Sequence, residues 1–510
     1  MQGKKDYTEK LFMSFQLSNH VPKENFYRRL RETLDLSFIY KDTKELYGKT
    51  GNPSTRPVVF FKLLLTGYLE NITSDRKLVE HCAMRMDVLY FLGFDIDEGL
   101  PWHSTISRTR QLYPIALFET LFNKVFTLCV KGGMVSGHTQ AVDSAPVKAN
   151  ASMESVVAKT PATSIESHLQ KVDEENTENK DRNPPASAGQ RITASEHELR
   201  RVERQHRKLQ QNSVSALGAT HEKAVLLSNK THYSPHDPDA RISVKPGKAR
   251  KLNYHCSMAV DTAKGVISHV QADFADKRDS LYLPGIVTGL QVRLKDNELL
   301  MANLLADTGY ANGYNYSLLE GKGITGWVPV FGQYKPEIEG FPYNKEKDEY
   351  SCSMNKRLPF KGFYTDPDGA VFKNYWAAAK DCKVCPNKAN CVPNIPCKKI
   401  TKTVYDEQYL RAYARQHSRR GRQMKKLRQS TVEPVFGSLT QYYGLRKIGV
   451  LGKAGAHKVM LMVAIAFNLK KYLKNGGRKP SCANFKAIIQ ALEQAFFTLL
   501  AFLDNRIPVS

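Results

Sequence analysis

The sequence predicts a mixed α/β protein with a helical N-terminal region and a cysteine-rich insertion. Apolar residues at helical spacing dominate the chain up to about residue 130. Alternating apolar runs, a hairpin signal and a helical segment then follow one another between residues 253 and 331, as in a mixed sheet. Residues 332–400 are rich in Pro, Gly and Cys. The 510 residues leave room for two to four domains.

Residues 1–132 are predicted to form a helical N-terminal domain. Ser74 is the expected N-cap of "DRKLVEH" and Ser104 that of "TISRTRQL", and Gly132-Gly133 ends the last helix. Two helices joined at this spacing suit a helix-turn-helix-like DNA-binding unit. The pattern fits a dimerisation or packing module equally well.

Residues 133–331 are predicted to be the first part of the core. A strand opens at residues 138–150, and a charged insertion with few large apolar residues follows at about 151–250. "NYHCSMAVDTAKGVISHVQADF" predicts a hairpin that turns at Gly265, with Asp261 as a turn residue. A helix, a buried strand ending "NLLAD" and a last strand at 323–331 complete this part.

Positive charge is concentrated in the C-terminal part of the chain. The protein has 75 Lys and Arg against 50 Asp and Glu, a formal charge of +25. Between Lys398 and Lys479 there are 20 bases and only three acids. We expect a basic helical region at 401–476 and a helical tail at 477–510. Such an excess favours a polyanionic partner, with nucleic acid first.

The chain shows no sign of membrane insertion or export. It has no run of about 18 apolar residues, and "MQGKKDYTEKLF" lacks the apolar core of a signal peptide. The nine cysteines are an odd number, which favours a reducing compartment. We therefore expect a cytoplasmic protein without a membrane partner.

Three carboxylates stand out by their context. Asp143 follows the apolar run "TQAV", Asp307 ends "NLLAD" before a Thr-Gly turn, and Glu433 lies in a helix surrounded by bases. Pro434 is tolerated in a first turn, so Thr431 is the expected N-cap of that helix. Carboxylates from strand ends and a helix are the ligands that a pair of Mg²⁺ ions requires for phosphoryl transfer.

A cysteine cluster predicts a structural zinc site. Cys382 and Cys385 form a C-x2-C pair, and Cys391 follows after five residues. Cys352 or Cys397 could supply the fourth thiolate of a tetrahedral site. Such an ion would stabilise an insertion with little core of its own; reduced free thiols are the alternative.

"AVDSAPVKA", "LLADTGY" and "VEPVFGSLTQYYGLRK" resemble the three acid motifs of the DDE transposases of bacterial insertion sequences. The stretch from "NPSTRPVVFF" to "PWHSTISRTR" also resembles the helical N-terminal domain of that family. The resemblance implies an RNase H-like mixed-sheet core, with Asp143 on the first strand, Asp307 on the fourth and Glu433 on a following helix. It implies cleavage and strand transfer of DNA with two Mg²⁺ (or Mn²⁺) ions.

The implied partners are element-end inverted repeats and target DNA, bound by a homodimer near the nucleoid. Relatives usually carry a Tyr, an Arg and a Lys at offsets from the glutamate where this chain has Lys426, Gln429 and Thr440. Which residue holds the DNA phosphate is therefore open. The candidate DNA-binding residues are Lys148, Arg422, Lys426, Arg428, Arg446 and Lys447. A related nuclease that does not join strands and a non-catalytic repressor remain alternatives.

Overall fold

The computed structural model describes residues 15–48, 55–161, 193–212, 227–243, 249–332, 334–366 and 370–475. The predicted tail at 477–510 lies outside the described residues, as does much of the charged insertion at 151–250. The statements below concern the described ranges.

The N-terminal region is helical, as predicted. Its α-helices are α1 Leu17–His20, α2 Phe26–Thr33, α3 Phe38–Thr43, α4 Pro57–Leu69, α5 Asp75–Ala83, α6 Met86–Leu92, α7 His103–Leu112 and α8 Ile115–Lys131. The Ser74 side chain caps α5 by accepting from Lys77 N, as predicted. The prediction for Ser104 is wrong, because α7 begins at His103 and Trp102 is its N-cap.

A six-stranded mixed sheet forms the centre of the protein. Its strands are β1 Thr139–Lys148, β2 Arg241–Ser243, β3 Lys251–Asp261, β4 Ile267–Phe274, β5 Asn303–Leu305 and β6 Thr325–Trp327. β3 pairs antiparallel with β1, β2 and β4, whereas β5 is parallel to both β1 and β6. The main path is therefore β2-β3-β1-β5-β6, with β1 in the middle. β4 lies off this path and pairs with β3, so β4-β3-β1-β5-β6 is also a continuous run of paired strands.

The predicted hairpin is confirmed, whereas two of the strands after it are shorter than predicted. Gly265 turns the β3–β4 hairpin at a φ of 66°, which glycine adopts without strain. The strand predicted to end with Asp307 stops at Leu305. The strand predicted at 323–331 is shorter, since only Thr325–Trp327 pairs with β5. Asp261 is buried and accepts hydrogen bonds from Gly137 N and Gln140 Nε2, so it has the structural role expected of it.

Helices cover the sheet and connect it to the N-terminal region. They include α10 Leu283–Lys295, α11 Gly313–Gly321 and the later helix α16 Gly452–Lys474, whereas α9 Glu196–Asn212 belongs to the insertion. α16 is apolar on most sides and packs against α4, α8 and β4. Because one helix contacts both units, the N-terminal helices and the sheet share a hydrophobic core.

The cysteine-rich segment forms a small separate sheet. Strands β7 Tyr343–Asn344, β8 Glu349–Ser351, β9 Arg357–Thr365, β10 Val371–Trp376 and β11 Lys399–Thr403 pair antiparallel in chain order. The short helices α12 Ala379–Lys383 and α13 Lys388–Cys391 lie between β10 and β11. Its core consists of only six buried residues: Tyr350, Leu358, Tyr375, Ala377, Cys397 and Ile400.

Two basic helices follow this sheet, α14 Asp406–His417 and α15 Arg419–Tyr442. The prediction that a helix starts at Thr431 is wrong. α15 begins twelve residues earlier (431 − 419), and the Ser418 side chain caps it. The Thr431 hydroxyl donates to Leu427 O within the helix instead. Pro434 is accommodated inside α15, so pattern alone misplaced the start of this helix.

No single helix in the described part of the chain is long and apolar enough to cross a membrane. Helices α7 and α8 together have the length and apolar composition of a membrane-spanning segment, but the pair is bent by 94°.

Candidate active site

Asp143 lies in the middle of the central strand. Ala141 and Val142 before it are fully buried, whereas the Asp143 side chain keeps 20% of its surface exposed. Its Oδ1 accepts a hydrogen bond from Ser144 N at 2.9 Å. The strand thus holds a carboxylate rigidly at the edge of an apolar core.

Asp307 is brought beside Asp143 by the register of the parallel strands. Ala141 pairs with Leu305, so Asp143 and Asp307 each lie two residues beyond a matched pair. Asp307 begins a short 3₁₀ turn, where its Oδ1 accepts from Gly309 N at 2.9 Å. The two motifs, 164 residues apart (307 − 143), therefore meet at one end of β5.

Glu433 lies on α15 and is linked to Asp143 by the side chain of Arg428, which contacts both carboxylates. The Arg428 guanidinium lies 3.0 Å from Asp143 Oδ2 and 3.8 Å from Glu433 Oε1. Glu433 is 58% exposed, so its carboxylate stands on the solvent side of the group. Arg428 itself is only 12% exposed and faces the acids, whereas Lys426 and Arg422 on the same helix are exposed.

The electrostatics of the site disfavour two ionised aspartates. Burial raises the pKa of Asp143, and the charge of Asp307 raises it further, while Arg428 acts in the opposite direction. Burial also raises the pKa of Asp307, followed by repulsion from Asp279. A cation placed among these carboxylates would relieve both the desolvation and the repulsion.

Asp279 is a further carboxylate of this site that the sequence did not reveal. A Cβ built on Gly309 would lie 3.1 Å from both Asp279 Oδ2 and Asp307 Oδ1. Asp279 Oδ1 is 3.3 Å from His255 Nδ1, but neither atom has a partner with hydrogen-bond geometry. Asp279 follows β4 in the polar stretch "ADKRDS", where no local pattern separates it from a loop residue.

Hydrogen bonds from neighbouring elements fix the backbone beside Asp143. The Ser144 hydroxyl is hydrogen-bonded to the hydroxyl of buried Tyr310 and lies 3.1 Å from Ser257 Oγ. Ser257 in turn donates to Asp273 Oδ2 at 2.6 Å. The "TGY" turn after Asp307 therefore supports the strand that carries Asp143.

A basic groove of about 1360 Å³ begins on the same strand. The main chain of Ile448 donates to Lys148 O at 2.8 Å, which brings Lys148 beside Arg446 and Lys447. Lys251, on neighbouring β3, also lines the groove and was not predicted. Its polar lining includes Asn71, Thr73, Asn253, Thr440 and Gln441, without an Asp or Glu. The positive charge of this groove suits a polyanionic ligand.

The four predicted zinc ligands also lie together. Cys352, Cys382, Cys385 and Cys391 all line one small cavity of about 30 Å³, whereas Cys397 does not. The more isolated Cys82, Cys129 and Cys256 are buried, as expected of apolar side chains. In their present rotamers, no three His, Cys, Asp or Glu side chains of the described ranges converge closely enough to hold an ion, here or among the carboxylates.

Comparison with known protein families finds matches in two regions of the chain. Residues 15–112 match a transposase domain (DUF772), and residues 351–473 match a transposase DDE domain. Two separate regions of the chain are therefore similar to transposase domains, one at the N-terminus and one in the C-terminal part. The second domain match includes Arg428 and Glu433, whereas Asp143 and Asp307 lie before it. A search of curated proteins finds no match.

Proposed function

We propose that this chain cleaves the ends of an insertion sequence and joins the freed 3′-hydroxyls to target DNA. The proposal rests on one observation: three elements of the fold bring their carboxylate side chains close together. Asp143 from β1, Asp307 after β5 and Glu433 from α15 surround the Arg428 guanidinium. The transposase domain matches support the class of reaction.

We infer that the sheet is an RNase H-like core. The order β4-β3-β1-β5-β6, with three antiparallel strands followed by two parallel ones, supports this assignment. Counted along the chain, Asp143 then lies on the first strand of that order, Asp307 two residues after the end of the fourth, and Glu433 on a later helix. The cysteine-rich sheet is an insertion between the last strand and that helix.

The carboxylates fit divalent cations by chemistry. They offer hard oxygen donors, and burial raises the pKa values of Asp143 and Asp307. Gly309 leaves open the space that a Cβ would fill beside Asp279 and Asp307. Asp143, Asp307 and Glu433 would hold two Mg²⁺ or Mn²⁺ ions. When bound, such ions stabilise both the attacking and the leaving oxygen in phosphoryl transfer.

The other residues of the site bind DNA and balance charge. Arg428 neutralises Asp143 and Glu433 in the structure, and it can turn to a DNA phosphate when those carboxylates bind cations instead. Exposed Glu433 can accept a proton from a water or a 3′-hydroxyl. Lys148, Lys251 and Lys447 in the groove would hold the DNA backbone next to Asp143.

The test is a strand-transfer assay with DNA that carries the element's terminal inverted repeats. Asp143→Ala, Asp307→Ala and Glu433→Ala should each abolish cleavage and joining while DNA binding persists. Asp97→Ala, which removes an exposed carboxylate in the N-terminal region, is the matched control. Cleavage without joining would instead indicate a nuclease. Wild-type binding without any cleavage in Mg²⁺ or Mn²⁺ would indicate a repressor.

A further inference from the structure

The cysteine-rich sheet has too little apolar core to explain its compact arrangement. Six residues are buried in its core, which is separate from the two larger cores of the protein. Its two helices are five and four residues long, below the length at which helices are stable alone. An additional cross-link is therefore expected to hold α12 and α13 against the strands.

Four thiols from separate parts of this sheet surround one cavity. Cys352 begins the turn between β8 and β9, Cys382 lies in α12, Cys385 follows it, and Cys391 ends α13. The turn at Cys352 is defined by hydrogen bonds, including one from Lys356 N to Cys352 Sγ at 3.4 Å. This contact holds the Cys352 sulfur in a defined position beside the cavity.

The exposure of these thiols distinguishes them from the other described cysteines. All four are partly exposed and unpaired, whereas Cys82, Cys129, Cys256 and Cys397 are buried. The cavity of about 30 Å³ is of the size of one small ion or water. Lys356, Lys388 and Lys398 line the cavity together with one acid, Asp381. The lining therefore has a net positive charge that offsets part of the negative charge of thiolates.

We propose that Cys352, Cys382, Cys385 and Cys391 bind one structural Zn²⁺ ion tetrahedrally. Each thiol releases its proton to solvent as its Zn–S bond forms, so the occupied centre carries two net negative charges beside the three lysines. Among the described residues, no three of these side chains are arranged to hold an ion in the structure, so binding requires the thiols to turn inward over the cavity. The ion fastens the β8–β9 turn to α12 and α13, and it leaves no position for substrate.

Metal content of the full chain tests the proposal without any DNA substrate. Protein refolded with Zn²⁺ and dialysed should contain one zinc per chain, and a thiol-specific mercurial should release it. Cys382→Ser and Cys391→Ser should lose the zinc, whereas Cys82→Ala and Cys397→Ser should retain it. Asp143→Ala should also retain it, so failure of the catalytic proposal would leave this result unchanged.

Cobalt provides a second readout that does not depend on how the variants fold. Wild-type protein loaded with Co²⁺ should show the strong visible bands of a tetrahedral thiolate site, and Zn²⁺ should remove them. Absence of stoichiometric zinc and of these bands in wild-type protein would overturn the proposal. Full zinc retention by Cys382→Ser or Cys391→Ser would overturn the ligand assignment.

Discussion

Replacement of Asp307 by Asn should abolish catalysis and yet stabilise the metal-free protein. Asp307 Oδ1 and Asp279 Oδ2 both lie 3.1 Å from the same point beside Gly309, so they are at most 6.2 Å apart (2 × 3.1 Å). Two like charges at about 6 Å repel by about 0.7 kcal/mol in water and about 2.8 kcal/mol at an effective dielectric constant of about 20. Asn removes this repulsion, while its Oδ1 can still accept from Gly309 N.

The expected gain is about 1 kcal/mol near neutral pH, or a rise of about 2–4 °C in the melting temperature on the scale of ordinary domains. The pKa of Asp307 is raised in the folded protein. The stability that its protonated form contributes is therefore present below the ordinary pKa of 3.8 and is lost as pH rises through the folded-state pKa. The advantage of Asn should accordingly shrink as the pH falls toward 3.8.

Thermal unfolding in EDTA measures this effect, with Asp279→Asn as the matched variant. Each single variant should raise the melting temperature, and the double variant should gain less than the sum, because either change removes the same repulsion. If both single variants melted below the wild type in EDTA near neutral pH, the carboxylates would not be crowded as described.

Three further predictions concern the groove, the turn and the metal. Lys251→Ala should weaken DNA binding and lower the slope of log K against log salt by about 1, as for loss of one phosphate contact; an unchanged slope would remove Lys251 from the DNA path. Gly309→Ala should lower metal affinity in calorimetric titration, because its Cβ would crowd two carboxylates, whereas Gly321→Ala, with open space around it, should not. Ca²⁺ should support DNA binding but stall cleavage, because its coordination is looser than that of Mg²⁺; Ca²⁺-supported cleavage at the Mg²⁺ rate would contradict this.

The α/β class and the order of the main elements could be predicted from the sequence because they depend on local patterns. Helical spacing up to Lys131 and the alternating runs around Gly265 both gave the elements that the structure contains. Helix ends were less predictable. Ser104 and Thr431 have the chemistry of N-caps, but both lie inside helices, because α7 already begins at His103 and α15 at Arg419, where the Ser418 side chain supplies the cap.

The candidate site residues Asp143, Asp307 and Glu433 and the cysteine motif could be picked out from local sequence, because each stands in a distinctive context. Which of these side chains lie next to one another depends on the tertiary structure. The register of β1 and β5 aligns the two aspartates, and α15 turns Arg428 toward them. Asp279 lies beside the acids, and Lys251 in the basic groove, only because of the tertiary fold. Their local sequence resembles that of ordinary surface residues. Strand pairing places Lys251 in the groove, and contact between two 3₁₀ turns places Asp279 beside Asp307.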